Sequence, residues 1–183
     1  MSFSDAFDYL CVVNETIMKK AFLISVFLGL LSLLKVSAQF EGTVGMGVHA
    51  GYGAEINSPG VGLHLHYYRT NNLRLAPSFT YFLERKGTSM WMAEADAHYI
   101  LPLSLTASLY PIAGIHYSNW KYRTAGTGET VATEWRKHRP GVNLGLGFQH
   151  DISYRVRANF ELKYQFIKDY SQVVFMAGFG FWL

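Results

Sequence analysis

From Glu41 almost to the C-terminus, apolar and polar residues alternate one by one, and a chain with period two buries a single face only as β-strand. Eight such runs can be read. The first sets Val44, Met46, Val48, Ala50 and Tyr52 against Gly45, Gly47, His49 and Gly51. The seventh sets Tyr154, Val156, Ala158, Phe160, Leu162, Tyr164 and Phe166 against Arg155, Arg157, Asn159, Glu161, Lys163 and Gln165. No segment of this region carries a helical period. Short connections at 70–72, 101–104 and 150–153 alternate with longer ones at 54–59, 85–89, 119–139 and 168–171. That places tight turns at one end and loops at the other. The expected fold is all-β, an eight-stranded antiparallel up-and-down transmembrane β-barrel.

The contents of the two faces decide which one meets lipid. The polar face is glycine-rich and sets Arg74, Arg155, Arg157 and Lys163 against Glu84, Glu94, Asp96 and Glu161. Such a balance suits a closed lumen, where an unpaired buried charge costs several kcal/mol. The other face is Leu, Val, Phe and Ala with almost no charge. Its aromatic residues (Tyr52, Tyr67, Trp91, Tyr99, Tyr117, Tyr154, Tyr164, Phe166) lie mostly near strand ends, as in the girdles of a membrane barrel. Pro77 and Pro111 fall inside strands on this apolar face, where each removes a ladder hydrogen bond. Bulges, or lipid-facing positions near a rim, are expected there.

The N-terminal region reads as an export signal. Lys19 and Lys20 precede an apolar run from Ala21 to Leu34, followed by the small-residue end Val36-Ser37-Ala38. A signal peptide is therefore expected over 18–38, cleaved before Gln39. Residues 1–17 carry Asp5, Asp8 and Glu15 and no base, and read as an extension from a start placed too early. The remaining domain, 39–183, contains no cysteine, since the only one is Cys11. Its net charge of +3, the same as the full chain's, gives no reason to expect nucleic acid as a partner.

The signal peptide, the eight runs, Leu109-Tyr110-Pro111-Ile112-Ala113-Gly114, Gly141-Val142-Asn143-Leu144-Gly145-Leu146-Gly147 and the aromatic last strand resemble the small outer-membrane β-barrel family, of the OmpA and OmpX type. The likeness covers about residues 39–183. It implies the outer membrane of a Gram-negative bacterium, contact with outer-membrane lipid and lipopolysaccharide, and insertion by the barrel-assembly machinery. Members of the family usually end in Phe, whereas here Leu183 follows Phe179, Phe181 and Trp182.

Candidate chemistry is sparse. His116-Tyr117-Ser118-Asn119 resembles the His-x-Ser-Asn signature of outer-membrane lipid A deacylases, in which a His activates a Ser and an acid such as Glu129 or Glu134 would complete the set. Strand parity points His116 and Ser118 into the lumen, however, and the signature stands 64 residues from the end. Of seven histidines, His64 and His66 share a face with His49, His98 and His116, which reads as lumen hydrogen bonding with no metal and no cofactor. Protonating that cluster is expected to loosen the barrel.

The longest connection, 119–139, carries Lys121, Arg123, Arg136, Lys137 and Arg139 against Glu129 and Glu134, together with Trp120, Tyr122 and Trp135. Phosphate contact at an outer leaflet, or a surface ligand, is expected there. The reading is a monomeric, non-enzymatic barrel acting in envelope structure or in surface binding and adhesion. A lipid A esterase and a soluble secreted ligand-binding barrel are the alternatives.

Overall fold

The computed structural model describes residues 41–124, 133–168 and 170–183. The expected signal peptide and start extension, and Glu129, lie outside the described residues.

The strands are β1 (Val44–Gly53), β2 (Ser58–Tyr68), β3 (Leu73–Arg85), β4 (Thr88–Tyr99), β5 (Leu101–Pro102), β6 (Ala107–Thr124), β7 (Thr133–Asp151), β8 (Val156–Ile167) and β9 (Gln172–Trp182). Each pairs antiparallel with its chain neighbours, except that β4 and β5 run on as one strand along β6. β1 pairs with β9, which closes the sheet. The result is an eight-stranded up-and-down barrel with no free edge, as a bilayer requires of a spanning sheet.

Proline explains the interruptions. Opposite Pro111 the β6 ladder skips Tyr99, and it resumes at Leu101 in unchanged register, which is what divides β4 from β5. Opposite Pro77 the β2–β3 ladder skips from His64 to Tyr67, again without a shift. Neither proline sits in a bulge. Both point outward, and each missing N–H simply leaves a gap in the ladder. The bulge in this part of the sheet lies instead between Phe82 and Arg85, beside the β3–β4 turn. There Lys86 and Gly87 both take positive φ, 50° and 75°, and form a two-residue connection. The long loop expected at 85–89 is thus a tight turn.

The apolar face is the outer one: Leu63, Ile115 and Leu146 are each 63% exposed. A soluble barrel would show the reverse. Tyr67, Tyr99 and Tyr154 ring the end that holds the C-terminus, and Tyr52, Tyr81, Trp91, Tyr117, Tyr164 and Phe166 ring the other. The lumen is filled in three tiers. Tyr68, Ile100, Tyr110 and Ile112 form an apolar cluster at the terminal end, with Trp182 against it. Ile56, Phe82, Met90, Met92, Trp120, Val174 and Met176 form a second cluster at the opposite end. Charged and amide side chains occupy the space between them.

Candidate functional site

The middle tier is built by parity. Glu94, Asp96 and His98 succeed one another at alternate positions on β4, as do Arg157, Asn159, Glu161, Lys163 and Gln165 on β8, so both rows face the axis. Lys163 Nζ donates to Glu94 Oε2 at 2.8 Å and to Asp96 Oδ2 at 3.1 Å, with Glu161 Oε2 at 3.8 Å. Asn143 Nδ2 donates to Glu94 and to Asp96, both at 2.8 Å, while Gln165 Nε2 and Ser78 Oγ donate to Glu94 at 3.0 and 3.1 Å. Gln172 then donates to Gln165 Oε1 at 2.8 Å. Lys163 thus faces three carboxylates, and each of these accepts at least one further hydrogen bond, that of Glu161 coming from Tyr110 Oη at 3.0 Å. That is the condition under which buried ions are tolerated.

Below this tier, Arg74 donates through Nε and Nη2 to His98 Nδ1 at 3.2 and 2.8 Å, and through Nη1 to Gln149 Oε1 at 2.7 Å. Arg157 donates to Tyr68 Oη at 2.7 Å, pairs with Asp151, and lies 4.4 Å from the centre of the Trp182 ring. The rings of His49, His64 and His66 stack in file at 5.5 and 4.4 Å, and His66 meets His98 edge-on at 6.1 Å. Glycine makes room for them: a Cβ on Gly47 would overlap the His64 ring, and one on Gly62 the His49 ring.

His66, His98 and Glu161 bring three potential metal-ligand atoms within 4.8 Å of one another. The donor set fits such an ion poorly. His98 Nδ1 already accepts from Arg74, so Nε2 carries the ring proton and has no lone pair to offer, and a divalent ion would add charge beside that guanidinium. A cavity of about 20 Å³ lies among His49, His64, His66, His98, Asn159 and Glu161.

His116 and Ser118 do point into the lumen; Ser118 is bonded on both sides, and His116 through Nδ1, with no partner at Nε2 among the described residues. His116 Nδ1 donates to Asn143 Oδ1 at 2.6 Å, which fixes its tautomer. Ser118 Oγ donates to the Arg139 carbonyl at 3.0 Å and accepts from Trp120 Nε1 at 3.1 Å. The outward residues of this stretch are Tyr117 and its partner His138, 2.6 Å apart.

Three expected positions need correction. Arg155 belongs to the exposed 152–155 turn, its guanidinium 5.3 Å from the centre of the Tyr154 ring. Glu84 stands exposed at the rim and pairs with Arg123 at 3.3 Å. Their places in the lumen balance are taken by Arg139 and Asp151, which alternation along a strand begun at Val142 did not include. Trp120, expected as a loop contact, is 2% exposed and plugs the lumen. All three errors follow from strand ends. β6 and β7 run 18 and 19 residues and stay paired to Thr124 and Thr133, so most of the expected 119–139 loop is strand. Pro140, beside Arg139, had disguised this continuation.

The arms that overshoot the aromatic ring have two faces. Lys121, Arg123, Glu134 and Arg136 point outward. Lys121 Nζ lies 3.0 Å, Arg136 3.3 Å and Arg123 3.6 Å from Glu134, whose carboxyl is held below the usual range chiefly by the Lys121 hydrogen bond. Tyr122, Trp135, Lys137 and Arg139 share the inner parity with Trp120.

An inverted exposure pattern around a filled, closed sheet is the architecture of a membrane barrel, and the family comparison agrees. Residues 23–181 match the outer membrane protein beta-barrel domain. The chain belongs to that family. Among solved structures, the barrel resembles the N-terminal β-barrel domain of Pseudomonas aeruginosa OprF, with a TM-score of 0.65, 16% identity and coverage of 80% of this chain and 100% of that one. Ail, the attachment invasion locus protein of Yersinia pestis, gives 0.57 at 17% identity over 78% and 99%. Neisserial surface protein A gives 0.60 at 14% over 76% and 95%. At such identities the likeness is one of fold. No curated protein matches the chain in sequence.

Proposed function

We propose that this outer-membrane barrel is a monomeric, non-conducting and non-enzymatic envelope protein that binds anionic glycolipid phosphates through the outward face of its β6–β7 arms. The observation that carries this reading is the overshoot itself. Among the described residues only these two strands extend well past the aromatic ring, and there they set Lys121, Arg123 and Arg136 around one glutamate on the outward side. Guanidinium and ammonium groups at that height suit charge-assisted bonds to phosphate. The packed lumen supports the absence of conductance, because an eight-stranded barrel is wide enough only for its own side chains. The enclosure of His116 and Ser118 in the lumen, with Ser118 Oγ bonded to the Arg139 carbonyl and to Trp120, supports a non-enzymatic role. An adhesive role has the support that Ail, of similar fold, has been crystallised with the heparin analogue sucrose octasulfate.

Purified lipopolysaccharide, intact or enzymatically dephosphorylated, would be titrated onto the protein in nanodiscs. The expected result is a loss of roughly tenfold in affinity on dephosphorylation, matched by the variant Lys121→Gln/Arg123→Gln/Arg136→Gln. Equal binding in all cases would sink the proposal. Loss of an acyl chain from lipid A, restored by Ser118→Ala, would replace it with the esterase.

A further inference from the structure

The inner face of the same arms carries a different feature, independent of glycolipid binding on the outer one. Arg139 is 4% exposed at the mouth of the lumen, and among the described residues nothing accepts a hydrogen bond from its Nη1 or Nη2. Its guanidinium carbon lies 3.4 Å from the centre of the Tyr170 ring and 5.0 Å from that of Trp120. Lys137 Nζ lies 5.8 Å from the centre of the same Tyr170 ring. The buried Tyr122 hydroxyl lies beside Arg139 and Tyr170 but meets hydrogen-bond geometry with neither. Two cations thus share one phenol ring, with no carboxylate bonded to either among the described residues. A π-face is a weak substitute for an anion, contributing about 0.5–2 kcal/mol. A guanidinium is built to grip an oxyanion with two N–H bonds.

Above the two cations the rings continue. Trp120 stacks on Tyr122 at 6.3 Å, and Tyr122 on Trp135 at 4.2 Å, both within 15° of parallel. Tyr122 is covered on both sides, whereas Trp135 is half exposed. A single open indole face suits the C–H side of a sugar ring better than a flat base, which gains most when sandwiched. Trp135 stands on the inward side of the arms, away from the bilayer, so its occupant comes from solution.

We infer that the mouth of the barrel binds a soluble saccharide carrying a phosphate ester, with Arg139, Lys137 and Tyr122 holding the phosphate and Trp135 the sugar. Tyr170, on the β8–β9 connection, occupies the place of the anion and swings aside on binding.

Calorimetric titration of the detergent-refolded full chain with glucose 6-phosphate, glucose and inorganic phosphate tests this, each variant being checked first for a heat-dependent gel shift. Glucose 6-phosphate is expected to bind at least tenfold more tightly than either other probe. Arg139→Gln should weaken it about tenfold, Tyr170→Ala should strengthen it, and Arg155→Gln in the exposed turn at the opposite end should leave it unchanged. Absence of binding to Tyr170→Ala, or binding undiminished by Arg139→Gln, overturns the site. Equal affinity for inorganic phosphate overturns the saccharide.

Discussion

Lys163 and Arg139 are both buried cations on inward positions of adjacent strands, yet their surroundings are opposite. Lys163 touches two carboxylates within 3.1 Å, and those carboxylates are held in turn by Asn143, Gln165 and Ser78. Arg139 has ring faces on its flanks and, among the described residues, no hydrogen-bond acceptor at Nη1 or Nη2. A charge enclosed by its partners can only hold the wall together. One left without them at an opening has binding capacity to spare. On the binding proposal made above, the lumen core is the structural part of this barrel, and its mouth the part that acts on other molecules.

The largest effect should come from breaking the paired cation. Lys163→Met strands Glu94 and Asp96 as buried unpaired carboxylates and should cost about 3–5 kcal/mol in reversible urea unfolding from lipid vesicles. Adding Glu94→Gln and Asp96→Asn should recover much of that loss. A Lys163→Met variant as stable as the parent would mean that the tier is wetter than its geometry implies. Gly62→Val pushes a side chain into the His49 ring and should cost about 1–3 kcal/mol, read in the same unfolding experiment.

The stacked histidines come next. Protonation places like charges on rings 4.4 Å apart, with Arg74 and Lys163 nearby and Glu161 and Asp96 as the compensating acids. A His64→Gln/His66→Gln variant should therefore show a lower acid-unfolding midpoint by tryptophan fluorescence, and an unmoved midpoint would remove the cluster from acid sensitivity.

Arg139→Met sharpens the contrast with Lys163 most directly. It trades a cation–π contact for relief of an unpaired buried charge and should change stability by no more than about 1 kcal/mol, toward stabilisation. A loss as large as that of Lys163→Met would show that Arg139 is structural after all. The smallest effect belongs to Glu134. Its carboxyl is held below the ordinary value by Lys121, so its contribution is present above the ordinary carboxylate range and is lost as pH falls through the depressed folded value. Amide exchange at 121–124 should accelerate in that acid window in the wild type and show no such step in Glu134→Gln, with no change in global unfolding.

Much of this architecture was legible in the chain. Alternation gave eight strands, and the uncharged face gave the lipid side. The rows Glu94–Asp96–His98 and Arg157–Lys163 named most of the lumen network in advance. Where reading failed, it failed at strand ends. Arg155 and Glu84 have inward parity but lie beyond the last enclosed level, and Arg139 and Trp120 fall where the pattern predicts loop.

By itself, then, the sequence determined which side of each strand meets lipid, because period two is a local property that any pleated strand must obey. The tertiary structure alone decided how far the wall extends and which inward residues it encloses. That depends on the register of each strand against its neighbours: β6 and β7 rise together past the ring, while the 152–155 turn ends β8 just short of Arg155. Register is set by contacts between strands distant in sequence, and it placed Arg139 under Tyr170 and left Arg155 in solvent.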